Sequence, residues 1–425
     1  MTRTVPVRID RDFALLFMVM LVIGAGNTAL QSVMPAIGRS LKIPDSVIAV
    51  AFSASALIWA LAAPRWARKS DHTGRRRMVI TGMAGFSISV ALCGIFLTAG
   101  VHGLIGPITT VVAFVGARMV YGYFGAAAPP AAQAILAGRT TRAQRTKALT
   151  MLASAFGLGT ILGPALAPFF VLPGVGLAGP AYFFAVCGFA VLGAVWFLLP
   201  NDAPGSLARG AATSYPSIGG TLTGASVAAA MAKPSRGELK LTDSRIWPWI
   251  VVGVVMGHAQ AMAGQAMGFF VLDRLAVDPL QGQQAVGLVL MTGAGAALLV
   301  QWGLIPLLNM TPRFMVITGL ALAAAGCVMI SNSTSLYGMA TAFGLSSAGF
   351  GFVRPGYTAG SSLAVDQDLQ AAVAGRITSV NGASFILGPS IGVGLYEIWH
   401  PAPYLAAAAM CVLLLGYSLA KLARR

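Results

Sequence analysis

A chain of 425 residues that is 57% hydrophobic and only 9% charged, with a mean hydropathy of +0.78, is too apolar for a soluble globular protein, in which about a quarter of residues carry charge. The net charge of +16 would suit a nucleic-acid binder if it covered a folded surface. Of the 28 Lys and Arg, however, all but Arg39, Lys42, Arg274 and two inside apolar runs fall at the chain ends or in alternate connections, an asymmetry that belongs to membrane topology. A polytopic protein of the lipid bilayer with both termini cytoplasmic and no nucleic-acid partner is therefore expected.

At the N-terminus a basic stretch leads into an apolar run from Phe13 that continues too far for a cleaved signal sequence and is read as a retained first helix. Apolar segments follow one another at 13–37, 46–66, 78–101, 104–137, 148–172 and 178–200, then at 247–271, 283–308, 313–333, 335–364, 371–398 and 402–421. Each is long enough to cross a bilayer, and helices satisfy backbone groups over such lengths in lipid. The predicted fold class is an all-α membrane protein of twelve transmembrane helices, with residues 1–200 as one six-helix bundle and 246–425 as a second. Residues 201–245, rich in Gly, Ser, Ala and Pro, are read as a flexible cytoplasmic linker. Cys93, Cys187, Cys327 and Cys411 lie within spans and have no C-x-x-C or histidine pairing, so no disulfide and no metal site is implied.

Helix 1 carries Asn27 and Gln31 one turn apart, polar positions whose economical home is a central cavity. Between helices 2 and 3, Pro64 to Gly82 gathers Arg65, Arg68, Lys69, Arg75, Arg76 and Arg77 around the single carboxylate Asp71, and a short basic connection marks the cytoplasmic side. Its segment Asp71-His72-Thr73-Gly74-Arg75-Arg76 resembles the G-x-x-x-D-R-x-G-R-[RK] signature of the major facilitator superfamily, with Ala67 and His72 in place of that pattern's glycine and arginine. The resemblance implies a gate in which Asp71, with Gly74 and Arg75, joins helix 2 to helix 11 and holds the cytoplasmic side shut. A carboxylate in this loop would favour the N-terminus of a helix, where the dipole attracts an anion by about 0.3–1 kcal/mol.

In helix 4, Arg118 stands well inside the span, where insertion costs roughly 2.5–3.5 kcal/mol unless it faces a wet cavity or a partner. Tyr121, Gly122 and Gly125 share its face. The stretch is similar to the R-x-x-x-G pattern of the drug:proton antiporter branch of the superfamily, which implies a role for Arg118 in proton coupling; a structural arginine capped by carbonyls is the competing reading. Helix 5 contains Gly159-Thr-Ile-Leu-Gly163-Pro164, which resembles the G-x-x-x-G-P signature of the same branch. Its glycines permit close backbone approach, Pro164 frees a carbonyl, and the resemblance implies a gating helix between the halves that accompanies export. Ala167 replaces a glycine of the fuller pattern.

Helix 7 offers His258, Met262 and Gln265 on one stripe, corresponding to the stripe of helix 1. His258 is either a packed hydrogen-bonding residue or the internal group that titrates near neutrality. Arg354 in helix 10 shares a face with Ser347, Phe350 and Tyr357, and either lines the cavity or snorkels to the headgroups. Helix 11 adds Asn381 and Phe385, and Glu397 closes it as Asp273 closes helix 7, both at the outer end. Helix 1 has no carboxylate at Asn27, unlike many proton antiporters, so Arg118, His258 and Glu397 remain the candidates for proton coupling.

The two halves repeat one another. Met-Val-Ile-Thr-Gly opens helix 3 at 78–82 and helix 9 at 315–319, Ile-Leu-Gly-Pro recurs at 161–164 and 386–389, and Pro130 falls on Pro355 at the same offset. Duplicated six-helix halves that rock about a midplane site are the plan of major facilitator transporters. No phosphate loop, G-x-S-x-G or H-E-x-x-H is present, so neither an enzyme nor a cofactor is expected.

Together these features point to a secondary active transporter, a monomer in a bacterial inner membrane, coupling protons to efflux of a small amphiphilic metabolite or drug that is anionic or zwitterionic. Import of an organic acid or siderophore-like compound by proton symport is the second possibility. A transporter-like sensor is a third, opposed by the lack of any folded signalling domain.

Overall fold

The computed structural model describes residues 10–140, 142–201, 215–216, 239–366 and 369–422; side chains at 68, 70–72, 142–144, 146–147, 279–280 and 371 lie outside the described residues. Twelve spanning helices account for most of it. In the first half these are α1 Arg11–Ser40, α2 Asp45–Thr73, α3 Arg75–Val101, α4 Pro107–Arg139, α5 Arg142–Leu166 and α6 Gly179–Leu198. In the second they are α7 Trp247–Leu275, α8 at 279–308, α9 Pro312–Asn332, α10 Leu336–Leu363, α11 Gln370–Ile398 and α12 Ala402–Lys421. Among the described residues, eleven of these are long and apolar enough to cross a membrane. The remaining one, α11, is 29 residues long and carries Arg376, Asn381 and Glu397.

Local chemistry sets the boundaries. The Asp10 carboxylate accepts from the Phe13 amide at 2.8 Å to start α1, and the Thr311 hydroxyl does the same for Phe314 at 3.4 Å to start α9. Ahead of Pro129 and Pro130, α4 tightens into a 3-10 turn over Gly125–Ala127, because prolines cannot supply the amides that an α-turn requires. The basic connection between helices 2 and 3 is shorter than expected. Helix α2 runs on through the charged residues to Thr73, and the chain breaks only at Gly74, whose φ of 91° is costly for any residue with a Cβ. Charged side chains in water do not stop a helix, so hydropathy placed this boundary too early. We call this the basic end and the opposite one the far end.

Arg75 is buried and donates to the Ala134 carbonyl at 3.1 Å, while Arg76 donates to Asn201 Oδ1 at 2.7 Å and to the Trp196 carbonyl. These arginines therefore tie the start of α3 to the C-terminal turns of α4 and α6, where carbonyls attract cations. The side chain of Asp71 lies outside the described residues.

The sequence repeat is a packing repeat. Gly82 of α3 lies against Ala128 of α4, where a Cβ would come within 2.5 Å of its backbone nitrogen; Gly319 of α9 meets the Gly349 carbonyl of α10 at 2.6 Å in the same sense. Gly163 of α5 presses on α1, with the Ala25 carbonyl 2.3 Å from where its Cβ would be, and its repeat partner Gly388 presses on Ala261 of α7 at 2.6 Å. Gly159 also faces α1, with the Leu21 carbonyl 2.4 Å from its Cβ position, so both glycines of the helix 5 motif hold the first bundle together. Pro164 does face the other half: its carbonyl stands 2.9 Å from the Cβ position of Gly287 in α8. The helix predicted to lie between the halves lies there through its prolines.

Gly163→Val should therefore lower the thermal midpoint of purified protein by the equivalent of about 1–3 kcal/mol, because rigid backbone cannot yield to the added methyls. Gly193→Ala, inside α6 with nothing within 4 Å of the added methyl, should leave the midpoint no lower and raise it by the equivalent of up to about 1 kcal/mol in the same thermal-unfolding measurement.

Candidate functional site

In the first bundle α1, α2 and α4 converge on Arg118, which is 0% exposed. Its Nη2 donates to Asn27 Oδ1 and to the hydroxyl of Tyr215; that hydroxyl lies 3.3 Å from Asn27 Oδ1, and Asn27 Nδ2 donates to the Pro216 carbonyl at 2.5 Å. The guanidinium lies over the rings of Phe52, at 5.0 Å, and Tyr121, at 4.8 Å, contacts that stabilise a desolvated cation by about 2 kcal/mol. Trp59 and Tyr121 also pack edge-on against Tyr215, at 5.8 and 5.9 Å between ring centroids. Among the described residues the Arg118 Nε and Nη1 and the Tyr121 hydroxyl are buried without a hydrogen-bond partner. Tyr215 and Pro216 belong to the stretch expected to be a flexible linker outside the bundles. Instead, Tyr215 is 3% exposed, inside the first one.

The second bundle repeats this chemistry with different residues. Arg354 of α10 is 2% exposed and donates to Asn381 Oδ1 of α11 at 3.1 Å and to Gln260 Oε1 of α7. Tyr357 donates to the same Asn381 oxygen, and the Phe385 ring lies 5.8 Å from the guanidinium. Snorkelling to the headgroups is thereby replaced by burial among partners. Gln260 also lines a cavity between the halves, with Thr160 and Pro164 of α5, Gly293 of α8, and Phe343 and Ser347 of α10. At 1.5 Å per residue, Arg118 sits about 16 Å and Arg354 about 27 Å from the far-end starts of their helices.

At the far end the halves are tied by charge. Arg39 of α1 clasps Asp45 of α2, Nε to Oδ1 at 3.0 Å and Nη2 to Oδ2 at 2.7 Å, and reaches Asp273 Oδ2 of α7 at 2.9 Å. Tyr396 of α11 donates to the same Asp273 oxygen at 2.5 Å and stacks on His400, whose Nε2 is 3.7 Å away from that oxygen. Glu397 Oε1 accepts from the Ser46 amide in the first turn of α2 at 2.9 Å, a carboxylate of one half on a helix N-terminus of the other. One level deeper, the hydroxyls of Ser53 in α2 and Ser390 in α11 bond at 2.7 Å, and Gly268 of α7 packs on Pro35 of α1.

A sequence profile described as the Major Facilitator Superfamily matches residues 16–389. The chain belongs to the Major Facilitator Superfamily. Among curated relatives, the "Multidrug resistance protein 2" of Bacillus subtilis (strain 168) is 31% identical over 154 residues, 36% of this chain and 34% of the relative. The "Multidrug efflux pump LfrA" of Mycolicibacterium smegmatis (strain ATCC 700084 / mc(2)155) is 29% identical over 164 residues, 38% of this chain and 30% of the relative. The matched segments thus span about a third of each relative. The crystal structure of the human organic anion transporter MFSD10 (TETRAN) superposes with a TM-score of 0.63, covering 96% of this chain and 99% of that one at 19% identity, which establishes the shared fold.

Within this superfamily member, Asn27, Arg118 and Tyr121 come together, as do Arg354, Asn381 and Phe385. Gln31 and Gln265 are buried about one turn before the Pro35–Gly268 contact, and Met262 packs on Gly392 of α11. His258 stays on its own helix, its Nδ1 2.8 Å from the Val254 carbonyl, which makes Nδ1 the N–H and leaves Nε2 as acceptor. Glu397 stands with the far-end carboxylates, remote from Arg118. Sequence reasoning missed Trp59, Tyr215, Gln260 and the Arg39–Asp45 clasp. The only signal for the clasp was opposite charge across the short turn between helices 1 and 2.

Asp273→Asn removes the negative charge that Arg39, Tyr396 and His400 gather around. In a Ser53→Cys background it should raise labelling by a membrane-impermeant maleimide several-fold, read as the initial labelling rate.

Proposed function

We propose that this chain is a proton-coupled exporter of small aromatic anions or zwitterions, in a bacterial plasma membrane with its basic end cytoplasmic. The observation that carries the reading is Arg118: a buried guanidinium that, among the described residues, has neutral partners and two nitrogens, Nε and Nη1, without acceptors. A guanidinium cannot give up its proton, so an acceptor-bearing cargo would supply what the bundle lacks. Arg354 offers a second cation beside the cavity between the halves. Positive charge on alternate connections supports the orientation, and the names of the two efflux relatives support export. Alternating access would proceed from a form tied at the far end by the Arg39–Asp45–Asp273 group.

In vesicles with an imposed pH gradient, fluorescein and aromatic acids should be carried, whereas ethidium should not. Arg118→Gln and Arg354→Gln should each lower the transport rate about 10- to 100-fold, the loss of one charge-assisted hydrogen bond of roughly 1.5–3 kcal/mol. Extrusion of ethidium by the unaltered protein would overturn the anion assignment.

For the proton, His258 is the favoured carrier, because Nδ1 is committed to Val254 and Nε2 remains for exchange. His258→Ala should abolish acceleration by a pH gradient while substrate exchange at equal pH persists. Glu397→Gln should keep the acceleration. The reverse pattern would move proton coupling to the far end.

A further inference from the structure

We propose that Tyr215 and Pro216 are a tethered ligand occupying the substrate site, and that the cargo is a compound carrying an aromatic hydroxyl beside a carbonyl or carboxylate acceptor, which competes with them for Arg118 and Asn27. This rests on the reading of Arg118 as part of the transport route.

The depth of insertion is the first argument. Asn27 lies about 24 Å along α1 from its basic-end start. The 13 residues between Asn201 and Tyr215 make 14 Cα steps, a maximum reach of about 46–50 Å that exceeds this depth. On the other side, the Leu239 carbonyl accepts from Arg376 Nε at 3.2 Å and Nη2 at 3.0 Å on α11. The connection between the halves thus touches a buried cation in one and the gate helix of the other.

The chemistry of the contact is the second. Proline has no N–H, so Pro216 enters an apolar bundle with only an acceptor, and Asn27 serves it. A residue before proline is confined to extended backbone, which holds the phenol of Tyr215 and the carbonyl of Pro216 in a fixed relation. The phenol oxygen accepts from Arg118 while its ring fills an aromatic box of Trp59 and Tyr121. Nothing in this recognition requires a peptide; a phenol with a neighbouring acceptor offers the same groups. Among the described residues the dipeptide leaves Arg118 Nε and Nη1 and the Tyr121 hydroxyl unserved, so a small molecule with one further oxygen would satisfy more of the site than Tyr215 and Pro216 do. That difference would let cargo displace a ligand held at the roughly millimolar effective concentration that a covalent connection supplies.

The test uses the full-length protein in detergent, titrated calorimetrically with N-acetyl-tyrosyl-proline amide and its phenylalanyl counterpart. Tyr215→Ala should bind the tyrosyl probe about tenfold more tightly than the unaltered protein, because the bound fraction of the tether no longer reduces the apparent affinity. The phenylalanyl probe should bind about tenfold more weakly than the tyrosyl one. Tyr215→Phe, which keeps the ring and loses only the hydroxyl, should fall between and serves if the alanine variant does not fold. Equal affinity in unaltered and Tyr215→Phe protein, or no preference for the hydroxyl, would overturn the proposal, as would a lowered thermal midpoint with no gain in affinity, the mark of a structural brace. Loss of anion transport in Arg118→Gln alongside equal probe affinities would sink the tether alone. Probe competition in a protein that carries no anion in vesicles would sink the transport reading and leave the tether standing.

Discussion

A guanidinium keeps its charge at any pH a protein meets, and within an apolar bundle that charge must be answered by dipoles, aromatic faces or a counter-ion. The folded chain answers it twice with side-chain amides from neighbouring helices and one or more aromatic rings; a tyrosine hydroxyl bonds the guanidinium itself in the first bundle and the amide oxygen of Asn381 in the second. The two arginines are not at repeat-equivalent positions, since the offset of 225 that relates Pro130 to Pro355 sets Phe343 against Arg118. Among the described residues both are met by neutral groups, which leaves their positive charge uncancelled.

The far end uses charge in the opposite way. There three carboxylates surround Arg39, and each is fixed by a different means: Asp45 by a two-pronged clasp, Asp273 by a shared arginine and a tyrosine, Glu397 by the amide of a helix start. Surface ion pairs contribute little singly, but Arg39–Asp273 and Glu397–Ser46 both cross between the halves, so a separation of the halves at this end would part them together. Beneath it, small residues at Ser53–Ser390 and Pro35–Gly268 allow the helices to close without a bulky seam.

Much of this was legible in the residues. Spans, halves and the glycine faces follow from hydropathy and from short repeated words, because those features are written locally. The buried position of Arg118 was legible as a cost needing an answer. What answered it was not: Tyr215 sits in a stretch of Gly, Ser and Ala that gives no local sign of burial, and Gln260 lies between His258 and Met262 but on a different face of helix 7 from the stripe of His258, Met262 and Gln265. Likewise Asp45 and Asp273 are 228 positions apart in the chain yet meet through Arg39, an encounter that only the tertiary fold creates. The charged stretch after Pro64 misled in a simpler way, since hydropathy locates the edge of lipid and not the end of a helix.

Each guanidinium is bonded to helices of its own half, Arg118 of α4 to Asn27 of α1, and Arg354 of α10 to Gln260 of α7 and Asn381 of α11. A rocking of one half against the other would therefore carry the two positive charges with their own bundles and change the distance between them, whatever lies in the space they share.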